Sequence, residues 1–272
     1  MNPFFSRTAF RVTVILSAPC WMGCLGETES EDLGVAAQEV KVSNALASNA
    51  LASNALTTNA LASNALLSNA LTSSALTSNS LVNDALGDWK ARSVFKYIVS
   101  CALPADRHIS VTVDGTTYDY DGQLGVAPSW GDASGHCNGS CVKWVSSCVL
   151  SRVNYLGASV PLSVRGSLGA LSSTTTERAA YPNREATYYG NIFKNPQIRH
   201  ACLSPGATSD DRVCGPSLQG CIVTVVGACD DACDNVEADG SFPNCRDGVR
   251  DAKNRFPSGV TSYPGTITVF LQ

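Results

Sequence analysis

Two cysteines in residues 136–141 (HCNGSC) are the side chains best suited to covalent chemistry. The apolar pattern that follows predicts a helix over residues 139–156, so both thiols stand at its start. The positive end of the helix dipole would lower the pKa of a thiol there and favour the nucleophilic thiolate. One candidate activity is therefore cysteine-dependent hydrolysis with His200 as the base.

This segment faintly resembles the papain-type signature Cys-Gly-Ser-Cys-Trp, but its spacing differs and no aromatic residue follows Cys141 directly. A second hydrolase motif, the Gly-x-Ser-x-Gly nucleophile elbow, is incomplete around Ser167, where residues 165–169 read RGSLG. His108, just before a predicted strand, is expected to be a surface histidine. We therefore expect a structural role for Cys137 and Cys141, and no cofactor.

Ten of the twelve cysteines lie in residues 89–272. An even number behind an export signal predicts five disulfides, with a pairing that spacing alone does not define. Zinc is the alternative, but the cysteine pairs four residues apart lack the usual zinc spacing and no histidine completes a ligand set. We expect disulfides, and no metal, at Cys101, Cys137, Cys141, Cys148, Cys202, Cys214, Cys221, Cys229, Cys233 and Cys245.

Five carboxylates surround Cys229 and Cys233: Asp230, Asp231, Asp234, Glu237 and Asp239. Oxygen ligands on a cross-linked loop could hold Ca²⁺, although their spacing is not that of an EF-hand. A solvated acidic loop is the favoured interpretation.

Residues 181–193 (YPNREATYYGNIF) are dense in aromatic and amide side chains. Such residues combine stacking area with hydrogen-bonding groups, which suits a carbohydrate or a protein ligand. In the alternative, the tyrosines pack in the core beside the helix. The candidate binding residues are Tyr181, Arg184, Tyr188, Tyr189 and Asn191.

The elements that must position these residues indicate an α+β domain over 89–272. Asp114-Gly115 between two alternating runs predicts a hairpin, and further strands are expected at 160–165, 222–226 and 266–271. One main helix, 139–156, would pack on an antiparallel sheet. Its Cys141 and Cys148 would face the core and cross-link to strands.

Residues 43–88 repeat every five residues around the motif Ser-Asn-Ala-Leu. Successive leucines turn by about 500° on a continuous helix and form no apolar stripe. The segment resembles pentapeptide-repeat β-solenoids, which would place the asparagines inside the coil. The alternative is a low-complexity spacer.

Residues 1–24 are expected to be a signal peptide, since residues 12–18 are apolar but much shorter than the roughly 20 residues of a membrane span. Trp21-Met22-Gly23-Cys24 resembles a bacterial lipoprotein cleavage site, which implies a lipid on Cys24 and a membrane as partner. Secretion without lipid is the alternative. Residues 25–42 are acidic and predict a flexible tether.

Residues 89–272 carry equal numbers of acidic and basic side chains, so no nucleic-acid partner is expected. Residues 141–166 and 188–202 resemble a family of uncharacterised repeat-bearing bacterial lipoproteins. The resemblance implies an envelope protein and no particular activity. A non-enzymatic surface role in adhesion, binding or envelope structure is the leading hypothesis, and an extracytoplasmic hydrolase of peptide or glycan is the alternative.

Overall fold

The computed structural model describes residues 41–155, 157–205, 207 and 211–272, which lie in one compact unit. The expected signal peptide, Cys24 and most of the expected tether lie outside the described residues. The helices are α1 (Ser48–Ala52), α2 (Ala55–Thr58), α3 (Ala60–Ser68), α4 (Ser73–Ser78), α5 (Ser80–Leu86), α6 (Trp89–Ala102), α7 (Gly139–Ser151), α8 (Thr175–Ala180), α9 (Asp211–Cys214) and α10 (Cys229–Ala232).

Strands of the main sheet come from most of the described chain. They are β1 (Lys41–Asn44), β6 (Val160–Arg165), β7 (Asn183–Asn191), β8 (Ile198–Leu203), β9 (Thr224–Ala228) and β12 (Ile267–Leu271), in the order β1-β6-β12-β7-β8-β9. Short two-stranded pairs are formed by β2 (Leu46–Ala47) with β5 (Val153–Asn154), β3 (His108–Val113) with β4 (Thr116–Asp121), and β10 (Cys245–Arg246) with β11 (Ser262–Tyr263).

The prediction of an α+β fold is confirmed, with two corrections. The main sheet is mixed rather than antiparallel, because β8 and β9 pair in parallel. Two long helices are present where one was expected: α6 packs on α7, and α7 packs on β7 and β12.

The end of α7 also differs from the prediction. The helix stops at Ser151, since Val153 joins β5 and pairs with Leu46 of β2. Val145, Cys148 and Val149 are fully buried, as the apolar periodicity predicts.

The hairpin around Asp114-Gly115 is confirmed. β3 and β4 pair antiparallel from His108 opposite Asp121 to Val113 opposite Thr116. Asp114 and Gly115 have φ angles of 49° and 77°, which is the positive-φ backbone that a two-residue hairpin turn needs.

Residues 43–88 do not form the expected β-solenoid. After β1 and β2, the repeat folds into the five short helices α1 to α5. Of the nine leucines that recur every five residues, seven are 0–1% exposed and join the same core as α6 and α7. The repeat therefore contributes to the core, which a spacer would not do.

Helix capping explains how a period of five is accommodated. A side chain caps the start of α2, α3, α4, α5 and α6, and each cap begins a new helix with a new orientation. The caps are Asn54, Asn59, Thr72, Asn79 and Asp88.

The exposed leucines follow the same geometry. α3 carries Leu61 and Leu66, and α5 carries Leu81 and Leu86, so each pair is separated by about 140° around one helix. Only one leucine of each pair can face the core, and Leu61 and Leu81 remain 66% and 47% exposed. Among the described residues, no helix has the length and apolarity to cross a bilayer.

Candidate functional site

All ten described cysteines are paired, as the even count predicts. The disulfides are Cys101–Cys148, Cys137–Cys141, Cys202–Cys229, Cys214–Cys221 and Cys233–Cys245. Five disulfides indicate an oxidising compartment. The expected cross-links from α7 to strands are wrong: Cys148 joins α7 to α6, and Cys141 pairs with its neighbour Cys137.

Neither Cys137 nor Cys141 is a free thiol, so neither can act as the nucleophile in cysteine-dependent hydrolysis. Because their sulfurs are in disulfides, these ten cysteines do not offer thiolate ligands for zinc. Within the described part of the chain, the one cluster of three potential metal ligands consists of the sulfurs of Cys202, Cys233 and Cys245, all of which are in disulfides.

The tyrosines predicted to bind a ligand are buried instead. Tyr181, Tyr188 and Tyr189 are 2%, 0% and 0% exposed, which favours the alternative that they pack in the core. Adjacent strand residues point to opposite faces of a sheet, and here both faces are covered. Tyr188 packs in the main core. Tyr189 packs in a second core on the other face, with Cys202, Cys229, Ala232, Cys233, Phe242, Cys245 and Tyr263.

The two polar members of the predicted binding set bond within the chain. The Arg184 guanidinium donates to the Gly240 carbonyl at 2.9 Å and stacks 4.6 Å from the Phe242 ring. The Asn191 side-chain oxygen accepts from the Phe193 amide at 3.0 Å. They are partly buried and form no common surface with the tyrosines.

His200 lies beside the second core, with its ring 5.7 Å from Tyr189 and 5.6 Å from Tyr263. Its Nδ1 is buried and has no hydrogen-bond partner among the described residues. Burial lowers the pKa of His200, and the negative charge of Asp247 acts against that shift. All ten cysteines of the described residues are in disulfides, so none of them is a thiol that this histidine could activate.

The acidic cluster is partly neutralised by the chain itself. Asp234 accepts from the Arg246 guanidinium at 2.8 Å and lies 3.8 Å from Arg250. Burial acts to raise the pKa of Asp234, but hydrogen bonds and the two arginine charges outweigh it and hold that pKa below its usual value. Asp239 accepts from the Ser241 amide and hydroxyl. In the part of the chain that the structure describes, these carboxylates form no cluster of three that could share a metal ion.

A cleft of about 710 Å³ opens between the first half of α7 and the loop 234–244. The disulfide Cys233–Cys245 joins the two ends of that loop. The lining residues are Gly139, Ser140, Lys143, Trp144, Ser167, Asp234, Asn235, Glu237, Pro243, Asn244, Pro264 and Gly265.

Close backbone packing holds Trp144 at the cleft. A Cβ on Gly265 would lie 2.8 Å from the Lys143 Cβ and 3.1 Å from the Trp144 nitrogen. A Cβ on Gly166 would lie 3.4 Å from the Trp144 ring. Ser147 donates a hydrogen bond to the Gly265 carbonyl and ties this wall to α7. The ring is therefore placed on a rigid helix between two close backbone segments.

The charges in the cleft are divided between its two sides. Lys143 and the N-terminal end of α7, which is the positive end of the helix dipole, lie on one side. Asp234 and Glu237 lie on the other. The cleft thus offers an aromatic face together with hydrogen-bond donors and acceptors.

A second cleft, of about 580 Å³, contains His108 together with Asp106, Arg107 and Asp132. Arg107 and Asp132 form an ion pair at 3.1 Å. The exposed His108 side chain makes no hydrogen bond within the described residues, so it is not held against a carboxylate or a hydroxyl.

Sequence reasoning missed Trp144. The predicted apolar face of the helix ran through Cys141, Val145 and Cys148, and Trp144 lies beside that face rather than on it. A large aromatic side chain at the edge of an apolar face was the available signal.

Comparisons with protein-family models, curated proteins and solved structures found no match.

Proposed function

We propose that this chain is an exported envelope lipoprotein with a non-enzymatic surface role, and that its domain binds a carbohydrate in the Trp144 cleft. The lipid on Cys24 would anchor the chain to a membrane. The observation that carries the binding role is the placement of Trp144 in a cleft with charged and amide side chains.

The chemistry of the cleft supports a sugar ligand. An aromatic ring can stack on the apolar C–H face of a sugar, and carboxylate, amide and ammonium groups can bond its hydroxyls. The volume of about 710 Å³ is within the common range for small-ligand sites. Because Cys233–Cys245 closes the loop that carries Asp234 and Glu237, little chain entropy would be lost on binding.

The test is calorimetric titration with soluble hexasaccharides of N-acetylglucosamine, glucose and galacturonic acid. We expect at least one to bind, and Trp144→Ala to weaken its binding by up to about tenfold, since stacking on an aromatic ring contributes about 0.5–1.5 kcal/mol beyond the buried area.

The matched control is Trp89→Ala, because Trp89 is 58% exposed at the start of α6 and is not among the lining residues of the cleft. This variant should bind as the unchanged protein does. Absence of binding to all three sugars, or equal binding by Trp144→Ala, would rule out the carbohydrate role.

The alternative is a hydrolase that acts on peptide or glycan, and the cleft at His108 is the observation in its favour. Its support is weaker because His108 lacks a hydrogen-bonded partner among the described residues. Mass spectrometry of the same hexasaccharides after incubation separates the two functions, since a binding protein leaves them intact.

A further inference from the structure

A cavity of about 400 Å³ lies between α1 and the loop closed by Cys214–Cys221. It shares no lining residue with the Trp144 cleft. The lining residues are Ser48, Asn49, Ala52, Tyr155, Arg199, Val213, Cys214, Pro216, Ser217, Gln219, Gly220, Cys221 and Ile222. Arg199 is the one charged residue among them.

Arg199 differs from the other buried and partly buried arginines in that its guanidinium makes no hydrogen bond among the described residues. Its Nη1 is buried and has no hydrogen-bond partner, and no described carboxylate forms an ion pair with it. Arg152 and Arg184 also have unpaired nitrogens, but each donates at least one hydrogen bond. Arg212, in contrast, binds Glu185 at 2.6 Å, and the Arg165 guanidinium donates to the Tyr181 carbonyl at 2.8 Å.

An unpaired cation at a partly buried position is unfavourable because the protein replaces only part of its hydration. Burial lowers the pKa of Arg199, and no neighbouring charge offsets that effect. Nη1 itself has almost no exposed surface, so an anion in the cavity would bond the remaining nitrogens of the guanidinium and offset part of the cost of its burial.

The other lining groups define the type of anion. Ser48, Ser217 and Gln219 can donate hydrogen bonds, while the Tyr155 ring and the side chains of Val213 and Ile222 provide apolar contacts. A single positive charge matches a single negative charge. The planar fork of a guanidinium matches the two oxygens of a carboxylate.

We propose that this cavity binds a monoanionic carboxylate with an apolar or aromatic body, held by Arg199. The site is independent of the proposed carbohydrate site, because the two cavities have no residue in common. Each can therefore fail without the other.

The probe is benzoate, titrated into the full chain at constant ionic strength and followed by NMR shifts of the Tyr155 and Gln219 amides. We expect saturable shifts with benzoate. Benzamide has nearly the same shape without the charge and should bind at least about tenfold more weakly.

Arg199→Gln should weaken benzoate binding by about tenfold or more. Arg199→Lys should bind with intermediate affinity, because it keeps the charge without the fork, and it serves as the second variant if Arg199→Gln does not fold. Arg107→Gln removes one positive charge at the His108 cleft and should leave binding unchanged.

Three results would overturn the proposal. They are equal binding of benzoate by Arg199→Gln, binding of benzamide as tight as that of benzoate, and a stronger response to inorganic phosphate than to benzoate. The last would identify the cavity as a phosphate site rather than a carboxylate site.

Discussion

His200 shows how a single side chain can make stability depend on pH. Its ring packs against Tyr189 and Tyr263, and its Nδ1 finds no hydrogen-bond donor or acceptor among the described residues. Burial lowers its pKa from the ordinary value of 6.5, so the folded protein favours the neutral imidazole.

We expect the protein to lose stability as the pH falls below 6.5. Above that value His200 is neutral in both states. Below it, the unfolded chain takes up a proton that the folded chain resists, so protonation favours unfolding until the lower folded pKa is reached. The measurement is the midpoint of urea unfolding at pH 7.5 and pH 5.

Variants separate His200 from other titrating groups. His200→Gln should reduce the loss of stability between the two pH values, whereas His136→Gln, at an exposed position, should show the same loss as the unchanged protein. An equal loss in His200→Gln would show that burial of this histidine is not the cause.

The tyrosines show what the sequence could predict at this scale. Residues 181–193 indicate an aromatic cluster, and one is present. The sequence does not show that β7 is central and covered on both faces, because that depends on α7 and the segment 229–263 packing on opposite sides. Tyr188 and Tyr189 are both buried for that reason.

The five-residue repeat is the most informative element. The five-residue period excludes a single amphipathic helix through the repeat. This is correct, because leucines five residues apart on one helix face different directions. The period does not exclude a series of short helices, each restarted by a capping side chain. Asparagine is a strong N-cap residue, so Asn before Ala-Leu was the available signal.

Two leucines of α3 test whether the repeat folds as short helices that pack on the core. Leu66 is fully buried and Leu61 is 66% exposed on the same helix. Leu66→Ala should lower the free energy of unfolding by about 2–5 kcal/mol, because it leaves a cavity in the core. Leu61→Ala should change it by less than about 0.5 kcal/mol.

Urea unfolding followed by far-UV circular dichroism gives both values. Similar losses in the two variants would mean that the repeat is not ordered as α3 in solution. A small effect of both would mean that the repeat is a spacer outside the core.

Across the whole molecule, the disulfides act mainly as local braces. Three of the five join cysteines 4, 7 and 12 residues apart, while Cys101–Cys148 spans 47 residues and Cys202–Cys229 spans 27. The cross-link between α6 and α7 therefore restricts the unfolded chain most. The sequence predicted the number of bridges but not these pairs, because pairing depends on which elements pack together.

The proposed membrane attachment also belongs to the whole molecule. In a bacterial host that processes lipoproteins, the full chain should partition into the detergent phase of Triton X-114, because acyl chains supply about 0.8 kcal/mol per buried CH₂. Cys24→Ser should move it to the aqueous phase, and Cys20→Ser should not. Recovery of the full chain in the aqueous phase, with or without Cys24, would favour secretion without lipid.

The packing of the repeat leucines also constrains how the gene can vary. Tandem copies of a short motif are prone to duplication or loss of a unit. A spacer without packing contacts would tolerate either change. Here an added or deleted copy would displace the Asp88 cap and shift α6 against α7, across the Cys101–Cys148 bridge. Copy number should therefore be under purifying selection, and alleles with eight or ten units should yield chains that misfold.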